Sequence, residues 1–117
     1  MNVEKRAARL TSLGSASAVA DGKEQTICER GGGSPSEVSG YIDLSNMADG
    51  DTIIIKFYAK VKADGEWCKY NGEEYKGIQL MPLLHIVKKP ENHGLKISLE
   101  QTVGSYKSFD YEFFEEV

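Results

Sequence analysis

Ten residues, 53–62, constrain the fold of this chain more than any other segment of its sequence. Apolar residues occupy every second position there: one set is Ile53, Ile55, Phe57, Ala59 and Val61, and the set between them is Ile54, Lys56, Tyr58, Lys60 and Lys62. A period of two places the first set on a core and the second in water, as in an antiparallel sheet with one solvated face. The segment therefore predicts a half-buried antiparallel strand.

Further strand-sized segments, bounded by turn-forming residues, follow one another after residue 23. They are predicted at Glu24–Arg30, Val38–Leu44, after Asp64-Gly65, at Tyr75–Met81, Leu83–Lys88 and Leu95–Thr102, and from Ser108 almost to the last residue. Eight strands with turn signals every 8–12 residues or so, and no helical periodicity after residue 10, predict an all-β antiparallel sandwich of jelly-roll type. An immunoglobulin-like sandwich is the alternative, although its Cys…Trp…Cys order is missing because Trp67 directly precedes Cys68.

Two dipeptides, Asp64-Gly65 and Asn71-Gly72, are the residues that tight two-residue hairpins prefer. A type I′ turn at the first of them sets Val61 opposite Cys68. That register places Cys68 inside the sandwich and Trp67 on the outer face with the lysines.

Residues 1–23 differ from the rest, and we predict an N-terminal arm there, followed by the sandwich domain over residues 24–117. A short helix at Asn2–Leu10 is marginal because isolated helices of this length do not persist in water. The Thr, Ser, Gly and Ala residues after it have no period. Because burial of so few large side chains cannot offset the ordering cost, we expect the arm to become ordered only against a neighbour. Its contact residues are predicted to be Val3, Arg6, Arg9, Leu10 and Leu13.

Charge and hydropathy exclude several classes of partner. The net charge of -4 argues against nucleic acid as a partner of the body, since phosphate backbones need a basic face. No segment reaches the roughly 20 apolar residues of a membrane-spanning helix. The basic start of the chain and the small residues Ala16–Ala20 resemble the two ends of a signal peptide. The segment 10–15 between them, however, is too polar to be the apolar region that a signal peptide needs.

The catalytic inventory is weak, and we expect no enzyme, no cofactor and no metal. Cys28 and Cys68 belong to no CxxC or Cys/His cluster and are interpreted as two small buried residues. His85 lies inside a strand without an inferable partner, and Asp110 with Glu112 is a solvated pair. The turn that contains Asp43, Asn46, Asp49 and Asp51 is rich in oxygen ligands, but its spacing does not match an EF-hand.

Aromatic residues near the two hairpin signals are the stronger candidates for binding. We predict an aromatic face of Tyr58, Trp67, Tyr70 and Tyr75. Such a face suits sugar rings or another protein, because aromatic side chains dominate interface energetics. Packing within the sheet, with Lys62 over the Trp67 ring, is the other interpretation.

Several segments resemble small β-sandwich proteins from archaeal and viral genomes. The resemblance covers residues 21 to 114, and its segments are Asp21–Thr26, Gly40–Met47, Gly50–Thr52, Leu99–Gly104 and Lys107–Tyr111. It implies a virion-surface or capsid-associated role and supplies no catalytic residues.

Together these features predict a structural or assembly protein rather than an enzyme. Its partners would be copies of itself or a larger protein shell, contacted through the arm and the sheet edges, in a virion or the cytoplasm. The alternative is a non-catalytic carbohydrate-binding module, with a glycan bound on the aromatic face around Trp67.

Overall fold

A computed structural model of the chain describes residues 10–31 and 35–116. These residues form eight strands: β1 (Leu10–Val19), β2 (Gln25–Arg30), β3 (Ser36–Asp43), β4 (Thr52–Ala59), β5 (Cys68–Lys76), β6 (Leu83–Glu91), β7 (Leu95–Val103) and β8 (Ser108–Glu116). Within the same ranges there is no helix, and hence none long or apolar enough to cross a membrane.

The strands form two four-stranded antiparallel sheets with the order β1-β8-β3-β6 and β2-β7-β4-β5. Every connection except β4–β5 crosses from one sheet to the other. This connectivity is that of a jelly roll, and it confirms the predicted all-β sandwich. The immunoglobulin-like alternative is wrong, because the first two strands of that fold share a sheet whereas β1 and β2 lie in different sheets.

The core lies between the inner faces of the two sheets. As the alternation predicted, β4 turns Ile53, Ile55 and Phe57 inward. Other large side chains that are fully buried are Phe109, Phe113, Ile42, Leu44, Leu95, Ile97, Leu99 and Val38. Strand β4 ends at Ala59, before the predicted end at residue 62, and Val61 is 86% exposed in the loop that follows.

The predicted tight hairpin at Asp64-Gly65 is wrong. Cys68 pairs with Ala59 instead of Val61, so an eight-residue loop, 60–67, joins β4 to β5. The backbone N–H of Lys60 donates to Gly94 O at 3.1 Å, which draws the chain away from β5 before a hairpin can close. Asn71-Gly72 is not a turn either, because it lies within β5 beside a bulge in the β4–β5 ladder.

The predicted strand Tyr75–Met81 is also wrong, because β5 ends at Lys76. Gly77 has a φ of +69°, a conformation that L side chains rarely adopt, and its N–H donates to Asp51 O at 2.8 Å. Residues 77–82 therefore leave the sheet as a loop.

Within the described residues, the sandwich already includes Leu10 and therefore starts before residue 24. Strand β1 lies within the segment that we predicted to be an arm, and it pairs with β8 at eight positions. Its side chains gave no pattern because this edge strand buries only Ala18. The predicted helix at Asn2–Leu10 lies outside the described residues apart from Leu10, which begins β1, and the predicted contact residues Val3, Arg6 and Arg9 lie outside them too.

The two cysteines are free thiols in different surroundings. Cys28 is buried in the core, as predicted, and Cys68 is exposed. The expectation that Cys68 points inside and is buried fails, because Cys68 begins β5 at the open edge of its sheet.

Candidate functional site

The four residues of the predicted aromatic face do not lie on one surface. Tyr58 and Trp67 are on the outer face of the sheet β2-β7-β4-β5, where both rings contact Lys96. Tyr75 packs against the hydrophobic core, and the Tyr70 ring tilts against the buried ring of Phe57 at 6.2 Å between centroids. Alternation was misread here because β5 contains a bulge and pairs in a different register from the predicted one.

The Trp67 ring is surrounded by residues of its own chain. The Lys60 and Lys96 ammonium groups lie 4.8 Å and 5.0 Å from its centroid, in place of the predicted Lys62. The backbone of Gly94 lies so close that a Cβ there would be 2.9 Å from the indole Cη2. These contacts stabilise the loop 60–67.

A polar network extends over the same outer face from Trp67 and Lys96 towards β2. The Lys56 ammonium lies 2.9 Å from Glu100 Oε1 and 3.6 Å from Glu24 Oε1, and the hydrogen bond to Glu100 raises the pKa of Lys56. Burial disfavours the charged form of Glu24, but hydrogen bonds from Ser98, at 2.5 Å, and Tyr58 outweigh it and lower its pKa. The network ties Glu24, the residue before β2, to β7 and β4, so we assign it a structural role.

The other candidates for chemistry have structural partners as well. Burial raises the pKa of the Cys28 thiol to about 11, which keeps it protonated. His85 stacks on Tyr41 with 4.8 Å between ring centroids. Glu112 accepts a hydrogen bond from Ser12 at 2.9 Å, and Asp110 accepts one from Ser17, so this pair of carboxylates fastens β1 to β8.

The oxygen-rich turn between β3 and β4 uses its carboxylates to hold the backbone. Asp51, whose side chain is 3% exposed, accepts the Ala48 N–H at 2.8 Å and pairs with the Lys107 ammonium at 2.9 Å. Asp43 accepts the N–H of Ser45. In the described part of the chain, no three His, Cys, Asp or Glu side chains are grouped to hold a metal ion.

Replacing Asp51 by asparagine is expected to destabilise the fold by about 1–3 kcal/mol at pH 7. The Ala48 N–H, then Lys107, lower the pKa of Asp51 below its ordinary value of 3.8. A depressed pKa adds stability above the unfolded-state value and loses it as the pH falls through the folded-state value. The difference between wild type and Asp51→Asn should therefore shrink when urea unfolding is repeated near pH 3.

The control for this prediction is Asp49→Asn, which changes an exposed carboxylate in the same turn. It should shift the free energy of unfolding by no more than about 0.5 kcal/mol. Equal stabilities of wild type and Asp51→Asn at pH 7 would contradict the role assigned to Asp51.

The first surface that no other described strand covers is the outer edge of β1. Sheets are protected from edge-to-edge pairing by charged residues, prolines and short edge strands. The edge strand β6 contains Lys88, Lys89 and Pro90, and β2 is only six residues long. Strand β1 is ten residues long and contains no charged residue and no proline; its one irregularity is a bulge at Gly14. Sequence reasoning missed this edge because the strand itself was not recognised.

The second free surface is the β5–β6 loop, residues 77–82, which we call the apolar loop. Ile78, Leu80 and Met81 are exposed to 69%, 96% and 88%. These side chains were assigned to a strand in the sequence, so their exposure was not foreseen. Exposed apolar side chains of this size, close together along the chain, make this loop a candidate interaction surface.

The fold and these surfaces define a jelly-roll β-sandwich with an unprotected edge. Over 95% of its length the chain is similar in structure to VP2 of infectious bursal disease virus, solved as a subviral particle, with a TM-score of 0.53 and 10% sequence identity. The chain spans 33% of the VP2 chain, and at this identity the likeness establishes the fold alone. No protein-family model matches the sequence, and no curated protein matches it.

Proposed function

We propose that this protein is a non-catalytic structural subunit that joins copies of itself, or a larger protein shell, through the outer edge of β1. The observation that carries this proposal is the length and chemistry of that edge: ten residues without charge or proline. Such an edge offers its free backbone N–H and C=O groups to a strand of a neighbour.

The jelly-roll fold supports this function without deciding it, because viral capsid proteins, lectins and cupins share the fold. The similar structure is that of a subviral particle, which favours a shell or capsid-associated role and a location in a virion. Two of the predicted contact residues, Leu10 and Leu13, lie on β1, and Leu10 is 61% exposed. The proposal rests on β1 and not on residues 1–9.

Placing a lysine on this edge tests the proposal. Ala16 is exposed on β1, and a charged side chain on an edge strand opposes pairing with another strand. The matched control is Thr102→Lys, because Thr102 is also exposed but lies near the end of β7, an interior strand of the other sheet. Both variants should unfold at the wild-type midpoint.

Sedimentation equilibrium over a range of concentrations then measures self-association. We expect wild type and Thr102→Lys to associate alike and Ala16→Lys to associate at least about tenfold more weakly. A wild-type protein that remains monomeric at the highest concentrations, or an Ala16→Lys variant that associates like wild type, would reject the edge as the contact.

A further inference from the structure

The apolar loop is fastened to the sandwich at both ends although its side chains lie in water. Gly77 N–H donates to Asp51 O, and the side-chain amide of Gln79 donates to Lys76 O at 3.1 Å and to Gly77 O at 3.2 Å. At the other end of the loop, Leu44 N–H donates to Pro82 O at 2.8 Å. A loop fastened at both ends loses less conformational entropy on binding than a free chain does, which favours the entry of Leu80 and Met81 into a pocket.

An apolar groove lies at the opposite end of the same edge of the sandwich. It opens between β5 and β6 with a volume of about 500 Å³, and its lining includes Val61, Cys68, Tyr70, Pro90 and Lys89. Val61 and Tyr70 are 86% and 51% exposed, so the apolar walls face water. The groove therefore has the chemistry that two large apolar side chains need.

The apolar loop cannot fill the groove of its own molecule. The groove contains Cys68, where β5 begins, and the loop follows Lys76, where β5 ends. Nine residues of extended strand hold the two sites roughly 25 Å apart. Only the loop of another molecule can reach the groove.

We infer that the apolar loop of one copy inserts into the groove of the next copy. This contact is head to tail, so each molecule offers one loop and one groove, and repetition gives a ring or a filament. Charges support a second copy as the occupant. Asp43, which pairs with Leu83 where β6 begins, and Asp49 stand at the loop end of the sandwich. Lys88 and Lys89 line the groove. Lys88 lies 4.0 Å from Glu37 Oε1 and 3.9 Å from Glu116 Oε1, so Lys89 is the groove lysine that forms no ion pair among the described residues. The same aspartates disfavour insertion of the loop into an anionic membrane.

This inference rests on the proposed function and adds a second contact to the β1 edge. Its test therefore uses the Ala16→Lys background, in which the edge contact is weakened. Leu80→Asp places a charge on the apolar loop, and Val61→Asp places one in the groove. Val103→Asp, on β7, is the control for a new charge at an exposed apolar position outside both sites. All three positions are more than half exposed, so the unfolding midpoint should show that each variant folds.

In sedimentation experiments the background protein and Val103→Asp should associate alike, and Leu80→Asp and Val61→Asp should each associate at least about tenfold more weakly. An equimolar mixture of Leu80→Asp and Val61→Asp should form a discrete dimer, because the intact loop of Val61→Asp fits the intact groove of Leu80→Asp. The altered loop and the altered groove that remain cannot bind a further copy, so association stops at two molecules.

A mixture that stays monomeric would overturn the inference. It would also be overturned if Val61→Asp associated like the background protein, because the contact would then be loop to loop. Cosedimentation with phosphatidylserine vesicles that is lost only in Leu80→Asp would overturn it too, because the loop would then bind a membrane. If Ala16→Lys associates like wild type but the mixture still forms the dimer, the β1 contact alone is rejected. If Ala16→Lys weakens association but the mixture stays monomeric, the loop contact alone is rejected.

Discussion

Replacement of Gly40 by valine is expected to leave little folded protein. Gly40 lies on β3, and a Cβ at this position would be 2.4 Å from Glu112 O, 2.5 Å from Phe113 Cδ1 and 2.9 Å from Phe113 Cα. Two of these atoms belong to the backbone of β8, which is fixed between β1 and β3 and cannot retreat. We expect a loss of about 3 kcal/mol or more, at or above the upper end for overpacked cores.

Chemical unfolding followed by circular dichroism, with the soluble yield, measures this effect. Gly72→Ala is the matched control, because Gly72 also lies within a strand but an added Cβ would meet nothing within 4 Å. It should be neutral or slightly stabilising, since alanine restricts the unfolded chain. Similar stabilities of Gly40→Val and Gly72→Ala would mean that β3 and β8 are not packed as described.

Deletion of residues 1–22 is expected to abolish cooperative unfolding. The deletion removes β1 and its eight paired positions, and it leaves one edge of β8, the strand that carries the core residues Phe109 and Phe113, unpaired. We expect a loss of about 4 kcal/mol or more, most of the stability of a typical small domain. Thermal unfolding and dye binding to exposed apolar surface would report it.

A chain that starts at Leu10 is the control, because it keeps every described strand. It should retain a cooperative transition. If the chain without residues 1–22 unfolds like this control, β1 contributes nothing to the sandwich and the sequence-based boundary at residue 24 is correct.

Those parts of the fold that show a side-chain pattern could be predicted. Strand β4 has neighbours on both sides and one face on the core, so burial alone dictates its alternation of Ile53, Ile55 and Phe57 with polar residues. Strand β1 is held by its backbone and by short hydroxyl–carboxylate contacts such as Ser12 to Glu112. Such pairing imposes almost no requirement on side chains, and the sequence could not show it.

The surfaces that we propose for binding could not be predicted from the sequence for a related reason. The apolar run that contains Ile78, Leu80 and Met81 has the composition of a buried strand, and only the turn at Gly77, fixed by a distant backbone oxygen, removes it from the sheet. In the same way, Lys60 bonds to Gly94 instead of continuing a hairpin, and this displaces Val61 and Trp67. Local signals were present in both segments, but contacts from remote parts of the chain decided the outcome.

The position of β8 also sets an order of events during synthesis. Of the described strands, β8 is made last and lies between β1, the first of them, and β3, so contacts such as Ser12 to Glu112 span 100 residues. Folds dominated by such long-range pairs form slowly, after much of the chain is available. A nascent chain halted before residues 108–116 therefore has no partner for β1 and no rigid edge to offer. If neighbours join through that edge, only subunits that have been translated through β8 can enter the assembly.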